Sequence, residues 1–175
     1  MESLKRLRFF PGKLLTTEDL AAEQEYHLAK QRARNLGQFG PGVVAGLHVS
    51  TEAAGIRLSP GLAIDRRGRD VIVQESIVGP FPPALLRAWL TISYKETPTD
   101  PIPAPTWGEV EYTRIEEGFH LAWAPLGAPD PDAIVLAEVE KTPAGWRVNP
   151  TAHRIWMVAA GFGLLALLTL ASRRR

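Results

Sequence analysis

Short runs of alternating apolar and polar residues, interrupted by turn residues, constrain the fold more than any other feature of the sequence. Such runs begin after Gly40 and continue to Val148. Turn signals at intervals of about 8–12 residues are typical of sandwiches and barrels. We therefore predict a mostly β domain, a sandwich or barrel of eight or nine short strands. The expected strands are residues 43–50, 56–59, 62–65, 69–74, 89–95, 110–116, 119–124, 133–140 and 146–148.

Two hairpins and one loop complete this β pattern. Glycine-containing turns at residues 117–118 and 143–145 predict hairpins. Prolines at positions 98, 101, 103 and 105 predict a loop, because proline lacks the N–H group that a strand needs.

One helix precedes the strands, at residues 17–36. Thr16 is a capping residue, and acidic residues follow it in the first turn, where the helix dipole favours them. The helix carries a narrow stripe of mostly small side chains at 4-3-4-3 spacing. We expect the stripe to pack on the domain's own sheet or on a neighbouring subunit. Its members are Ala22, Tyr26, Ala29, Ala33 and Leu36.

Residues 155–171 have no charged side chain, and Thr169 is the one polar residue among them. A helix of that length spans roughly 26 Å, the short end of a bilayer crossing. The run predicts a C-terminal transmembrane helix; the alternative is a helix buried in a core or an oligomer. Anchor residues would include Ile155, Trp156, Gly163, Leu167 and Ala171, and the flanking charges are Arg154, Arg173, Arg174 and Arg175.

The predicted organisation is a soluble domain at residues 1–150, followed by an anchor and basic tail at residues 151–175. No apolar stretch typical of a signal peptide precedes Pro11, so we expect a single-pass membrane protein with a cytoplasmic N-terminal domain. The three terminal arginines favour the opposite orientation. Ala159 and Gly163 form a small-xxx-small pair, which makes a homo-oligomer possible.

Charge and cysteine content exclude several kinds of function. The last 25 residues hold four of the 20 Lys and Arg and none of the 19 Asp and Glu, so the first 150 residues are net acidic. Nucleic-acid binding needs a clustered basic face, so we expect no nucleic-acid partner. With no cysteine, the chain has no disulfide, thiolate zinc site or cysteine nucleophile.

No residue pattern indicates catalysis, a metal or a cofactor. Asp65 and Asp70 flank the turn at residues 66–68, and neighbouring arginines favour solvated ion pairs over a catalytic acid pair. The glycine-rich residues 40–46 lack the spacing of a phosphate loop. The four histidines do not stand at metal-ligand spacing: they are His27, His48, His120 and His153. We predict that the chain is not an enzyme and binds no cofactor.

Several segments, taken as an ordered set, resemble one domain family. They are residues 10–20, 23–26, 40–47, 60–65 with 68–69, 92–95, 111–115 and 134–139. The chain is similar here to an accessory structural component of phage tails and phage-tail-like contractile injection systems, found near the baseplate or cap. The resemblance implies a non-enzymatic structural role and no catalytic residues.

The expected function is a structural adaptor that docks on a contractile injection apparatus and fixes it to a lipid bilayer. One alternative is an exported surface protein with a C-terminal sorting helix. Another is a membrane-tethered carbohydrate-binding module that uses exposed tryptophans. Four tryptophans are candidates for sugar stacking: Trp89, Trp107, Trp123 and Trp146.

The N-terminal region is the expected docking site for other subunits. Phe9 and Phe10 are adjacent aromatics beside a basic cluster at Lys5, Arg6 and Arg8, and Tyr26 lies on the helix that follows. A buried aromatic anchor with a charged rim is typical of protein interfaces. The alternative is that Phe9 and Phe10 cap the domain's own core.

Overall fold

The N-terminal helix and ten strands make up the regular structure of the computed structural model, which describes residues 5–104, 109–127 and 129–150. Helix α1 spans Thr17–Gln38. It begins where predicted, because the Thr16 hydroxyl accepts a hydrogen bond from the backbone N–H of Asp19, at 3.2 Å. It ends two residues beyond the predicted end. Phe39 caps it, and the Gly40 N–H donates to the Leu36 carbonyl oxygen, at 3.1 Å. Gly40 then turns the chain away with a φ of 71°.

The strands form three antiparallel sheets. The strands are β1 Gly42–Gly46, β2 Val49–Glu52, β3 Gly55–Leu58, β4 Gly61–Ile64, β5 Asp70–Val73, β6 Ile77–Pro80, β7 Arg87–Pro103, β8 Val110–Ala124, β9 Ile134–Thr142 and β10 Gly145–Pro150. One sheet has the order β1-β4-β5, a second has the order β2-β3-β6, and the third has the order β10-β9-β7-β8.

All three sheets contribute to one hydrophobic core. Val43 and Val71 come from the first sheet, Leu58 from the second, and Leu90 and Ile92 from the third, and each is at most 2% exposed. In β5 the burial alternates between buried Val71 and Val73 and exposed Ile72, the period of two that a half-buried strand requires.

The predicted strand at residues 43–50 is two strands in the structure. Gly46 and Leu47 both have positive φ angles, of 61° and 53°, which turn the chain between β1 and β2. A Cβ atom on Gly46 would lie 1.9 Å from the Pro60 carbonyl oxygen. The backbones therefore approach so closely that only glycine fits at position 46.

The expected proline loop and the hairpin at residues 117–118 are both wrong. β7 continues to Pro103 and β8 continues through Gly118, and the two strands pair along their whole length. β9 pairs with β7 only as far as Ile92, so the outer half of β7 has one open edge. Proline is tolerated in such a strand because the missing N–H need not face a partner. We call residues 95–103 and 110–118 the ribbon.

The predicted fold class is corrected in two respects. Ten strands form three sheets, in place of a sandwich or barrel of eight or nine strands. Over residues 5–104, 109–127 and 129–150, no helix is long and apolar enough to span a membrane. α1 itself carries seven charged side chains in 22 residues, and charged residues are costly in a bilayer.

The same finding corrects the predicted localisation, which was a single-pass membrane protein with a cytoplasmic N-terminal domain. The residues that led to it lie outside the described part of the chain, as does the proposed domain boundary after Pro150. That boundary stays a prediction. The residues concerned are Ile155, Trp156, Gly163, Leu167 and Ala171, with Arg154, Arg173, Arg174 and Arg175.

Candidate docking surface

α1 is attached to the sheets near its C-terminal end. Asn35, its one buried residue, donates hydrogen bonds from Nδ2 to the Gly68 carbonyl oxygen and to Oδ1 of Asp70, both at 2.9 Å. Gln31 donates from Nε2 to Oδ2 of Asp70, at 2.6 Å. These contacts hold the helix against the turn between β4 and β5.

A buried carboxylate organises that turn. Asp65 is 0% exposed and accepts hydrogen bonds from the backbone N–H groups of Arg67, at 2.8 Å, and Arg69, at 2.9 Å. The Arg69 guanidinium forms an ion pair with Asp65, with Nε 2.6 Å from Oδ2. The sequence correctly paired Asp65 with a neighbouring arginine, but the expectation of a solvated charge was wrong.

The stripe of small side chains on α1 does not face the domain's own sheets. Successive helical residues are about 100° apart, which places the stripe on the side of α1 opposite Gln31 and Asn35. Ala22, Ala33 and Leu36 are exposed. Of the two expectations for the stripe, packing on the domain's own sheet is therefore wrong.

The N-terminal segment, residues 5–15, leaves its apolar side chains open. Phe9 is 57% exposed, Phe10 59% and Leu14 83%, so these residues do not cap the core. Lys13 forms an ion pair with Asp19 of α1, with Nζ 3.3 Å from Oδ2. The segment thus lies along the helix with its aromatic side chains uncovered.

Tyr26 lies beside the N-terminal segment. It is half-buried on α1, with the Lys30 ammonium 5.5 Å from its ring centroid. Arg6 lines the same cavity as Tyr26 and Lys30. The three candidate docking residues, Phe9, Phe10 and Tyr26, therefore belong to one end of the molecule, formed by the N-terminal segment and α1.

The ribbon is a second surface with uncovered apolar side chains, and sequence reasoning missed it. Tyr112 is 54% exposed and Ile115 is 65% exposed; Ile102 and Val110 are exposed to a similar extent. The apolar residues spaced through residues 102–115 were the available signal, but the surrounding prolines favoured a loop.

Two carboxylates meet at the base of the ribbon. Glu96 and Glu117 are directly opposite each other in the β7–β8 register. Oε1 of each lies 2.9 Å from the Tyr94 hydroxyl, which is the hydrogen-bond donor. Burial, followed by the hydrogen bonds to Glu117 and Glu96, raises the pKa of Tyr94 well above its usual value, so its hydroxyl stays protonated.

A groove lies between α1 and the ribbon, and we call it the ribbon groove. It has a volume of about 580 Å³. Its lining combines apolar side chains with two carboxylates and one cation, Arg114, which is paired with Asp100. The lining residues are Gln24 and Leu28 from α1, Glu96 from β7, and Tyr112, Thr113, Arg114, Ile115 and Glu117 from β8.

The described residues offer little for catalysis or metal binding. No group of three or more His, Asp or Glu there is placed to hold a metal ion. His27 is within hydrogen-bond distance of Glu23, with Nε2 3.1 Å from Oε1. His48 is exposed between β1 and β2, and His120 is exposed in β8. The glycine-rich residues 40–46 form the turn that follows α1 and strand β1.

The tryptophans do not form an exposed stacking surface in the described chain. Trp89, Trp123 and Trp146 are each half-buried, and Trp107 lies outside the described residues. Trp146 stacks on Phe81, with ring centroids 4.7 Å apart. The exposed pair that a carbohydrate-binding module needs is therefore missing among these three.

Comparison with known proteins gives a fold but no family. No family model matches the sequence, and no curated protein matches it. Among solved structures, a chain of the baseplate complex from the type VI secretion system superposes with a TM-score of 0.52. The identity is 10%, and the match covers 85% of this chain and 58% of the other. The two chains share a fold.

Two other solved structures have weaker likeness. A chain of the type VI secretion system TssK-TssF-TssG baseplate subcomplex has a TM-score of 0.49 at 11% identity. The match covers 84% of this chain and 60% of the subcomplex chain. The crystal structure of TssK has a TM-score of 0.48 at 12% identity, and the match covers 84% of this chain and 41% of the TssK chain. This chain thus spans less than two thirds of each of these proteins.

Proposed function

We propose that this protein is a non-enzymatic structural subunit of a contractile injection system, associated with its baseplate. The observation that carries the proposal is the fold shared with a chain of the type VI secretion baseplate complex, over 85% of this chain. The ordered segments that resemble contractile-injection components support the same class of function. Because one fold hosts many functions, the surfaces of this chain must supply the rest.

Two such surfaces support a docking role. The N-terminal segment and the ribbon expose large apolar side chains, among them Phe10, Leu14 and Ile115. Exposed apolar patches rimmed by charge are typical of protein interfaces. Other subunits of the assembly are the partners we propose, with Phe9, Phe10 and Tyr26 at the docking site.

A double substitution tests docking separately from folding. Phe9→Ala/Phe10→Ala removes two aromatic side chains that are more than half exposed. We expect the free energy of unfolding to fall by less than about 1 kcal/mol, against roughly 3–5 kcal/mol for each core aromatic. We expect co-sedimentation of the full chain with contractile particles to fall about tenfold or more, since interface aromatics are common hot spots.

A matched control removes exposed apolar side chains elsewhere. Leu86→Ala/Leu126→Ala alters two exposed leucines outside the N-terminal segment and α1. This control should co-sediment as the wild-type chain does. Equal binding by the Phe9/Phe10 variant and the wild type would show that the N-terminal segment is not the docking site. A loss of several kcal/mol of stability would show that the two residues belong to the core.

A further inference from the structure

The N-terminal segment and the ribbon have opposite charge. The segment carries four cationic side chains, at Lys5, Arg6, Arg8 and Lys13, and no carboxylate. The ribbon carries five carboxylates and two cations. One of those cations, Arg114, is paired with Asp100, with Nε 2.8 Å from Oδ2. Two exposed surfaces of one chain are thus electrostatically complementary.

No described cation is paired with the carboxylates of Glu96 and Glu117, and the nearby Arg69 guanidinium lies over the Tyr94 ring, 4.5 Å from its centroid, while it is paired with Asp65. Neither forms an ion pair with a described residue, and their hydrogen-bond donor is the neutral Tyr94 hydroxyl. Like charges directly opposite each other across two strands are destabilising. A guanidinium placed between them would relieve this repulsion and would form charge-assisted hydrogen bonds.

The apolar parts of the two surfaces also match. Ile115 and Tyr112 project from the ribbon and Leu28 from α1, so that the groove has apolar walls above the carboxylate pair. In the N-terminal segment Arg8 directly precedes Phe9 and Phe10. With Arg8 at the two carboxylates, Phe9 or Phe10 would therefore contact the apolar wall of the groove.

The segment does not lie at the groove of its own copy. It follows the face of α1 that carries Glu23, Tyr26 and Lys30. The groove is bordered by Gln24 and Leu28, which lie roughly 150° away around the helix. The body of α1 separates the two surfaces within one copy.

We propose that the ribbon groove binds the N-terminal segment of a second copy of this chain, with Arg6 or Arg8 at the Glu96–Glu117 pair. The contact is head-to-tail, so that it joins copies in a row or a ring. This inference rests on the proposed docking role of the N-terminal segment and names its partner.

Charge reversal on either side tests the contact. We compare the full chain with Glu96→Arg/Glu117→Arg and with Arg6→Glu/Arg8→Glu, by sedimentation equilibrium in a mild non-ionic detergent that keeps residues 155–171 in solution. The wild-type chain should self-associate. Each variant should raise the dissociation constant of self-association about tenfold or more, as expected for charges that meet in an interface. Circular dichroism verifies that both variants fold.

Two further samples distinguish this contact from other causes. In an equimolar mixture the intact segment of one variant meets the intact groove of the other, and the reversed segment meets the reversed groove, so the mixture should associate although each variant alone does so weakly. A chain with all four substitutions should recover self-association. The matched control Glu109→Lys/Glu116→Lys reverses two exposed carboxylates that do not line the groove, one just before β8 and one within it, and should associate as the wild type does.

The proposal is overturned by a monomeric wild-type chain, by self-association that survives Glu96→Arg/Glu117→Arg, or by a mixture that stays monomeric. In any of these cases the Phe9→Ala/Phe10→Ala particle experiment still decides the proposed function. Loss of particle binding without self-association would mean that the segment docks on a different subunit.

Discussion

At the residue scale, Asp65 shows how a short turn organises the attachment of a helix. Its carboxylate is fully buried and bonds two backbone N–H groups and the Arg69 guanidinium. The turn so fixed presents the Gly68 carbonyl oxygen and the Asp70 carboxylate to Asn35 of α1. One buried charge thus supports the turn to which the helix is attached.

Asp65→Ala should be strongly destabilising. The substitution leaves the Arg69 side chain, 20% exposed, and two backbone N–H groups without their acceptor. Breaking a buried ion pair costs about 3–5 kcal/mol. Urea unfolding measures the loss.

Asp132→Ala is the matched control for Asp65→Ala. It removes an exposed carboxylate whose Oδ2 lies 2.6 Å from Nη2 of Arg67. Exposed ion pairs contribute about 1 kcal/mol or less. A similar loss in the two variants would mean that Asp65 does not organise the turn.

The sequence predicted the proximity of Asp65 to arginine but not its burial. Asp65 and its arginine neighbours are close in sequence, so their pairing follows from local chain geometry alone. Burial depends on α1, which arrives from more than thirty residues earlier in the chain to cover the turn. No local pattern contains that information.

At the element scale, the approach of α1 to the β4–β5 turn depends on Gly68. Its φ is 82°, and a Cβ atom there would lie 2.4 Å from the Arg32 carbonyl oxygen of the helix. Gly127 has a similar φ of 85°, but nothing described lies within 4 Å of its Cβ position. An alanine at either position would be strained by the positive φ angle, but only at position 68 would its Cβ atom also clash with the helix.

Gly68→Ala should therefore cost more than Gly127→Ala. Both substitutions carry about 1–2 kcal/mol for the left-handed backbone. Gly68→Ala adds a clash that pushes α1 off the turn, which we expect to cost roughly another 1–3 kcal/mol. Urea unfolding gives both costs, and hydrogen exchange should become faster in α1 for Gly68→Ala alone. Equal costs and unchanged exchange would contradict the close contact.

Elements with a local signal were predictable, and the ribbon was not. The start of α1 follows from Thr16, and the β9–β10 hairpin follows from its turn at residues 143–145. The proline-containing half of β7 looked like a loop because the sequence does not reveal that one of its edges is open. The candidate docking surfaces were recognisable to an uneven degree: Phe9 and Phe10 were proposed as docking residues from the sequence and stay a prediction, whereas Glu96 and Glu117 were not singled out.

At the scale of the whole molecule, two groups of exposed apolar side chains, one on the N-terminal segment and one on the ribbon, lie on surfaces separated by α1. The N-terminal segment is basic, and the ribbon groove is acidic. Two different surfaces allow one copy to contact two neighbours, which suits a subunit of a larger assembly. The predicted membrane attachment came from residues 155–171 alone, and no helix over residues 5–104, 109–127 and 129–150 supplies it.

Localisation of the chain on intact contractile particles tests the central claim most directly. Particles sedimented from cells that produce the tagged full chain are labelled with gold against the tag and viewed by electron microscopy. We expect label at the baseplate end of the particles, and its loss in the Phe9→Ala/Phe10→Ala variant while the Leu86→Ala/Leu126→Ala control keeps it. Particles that carry no label with the wild-type chain, or label spread evenly along their length, would contradict a baseplate role.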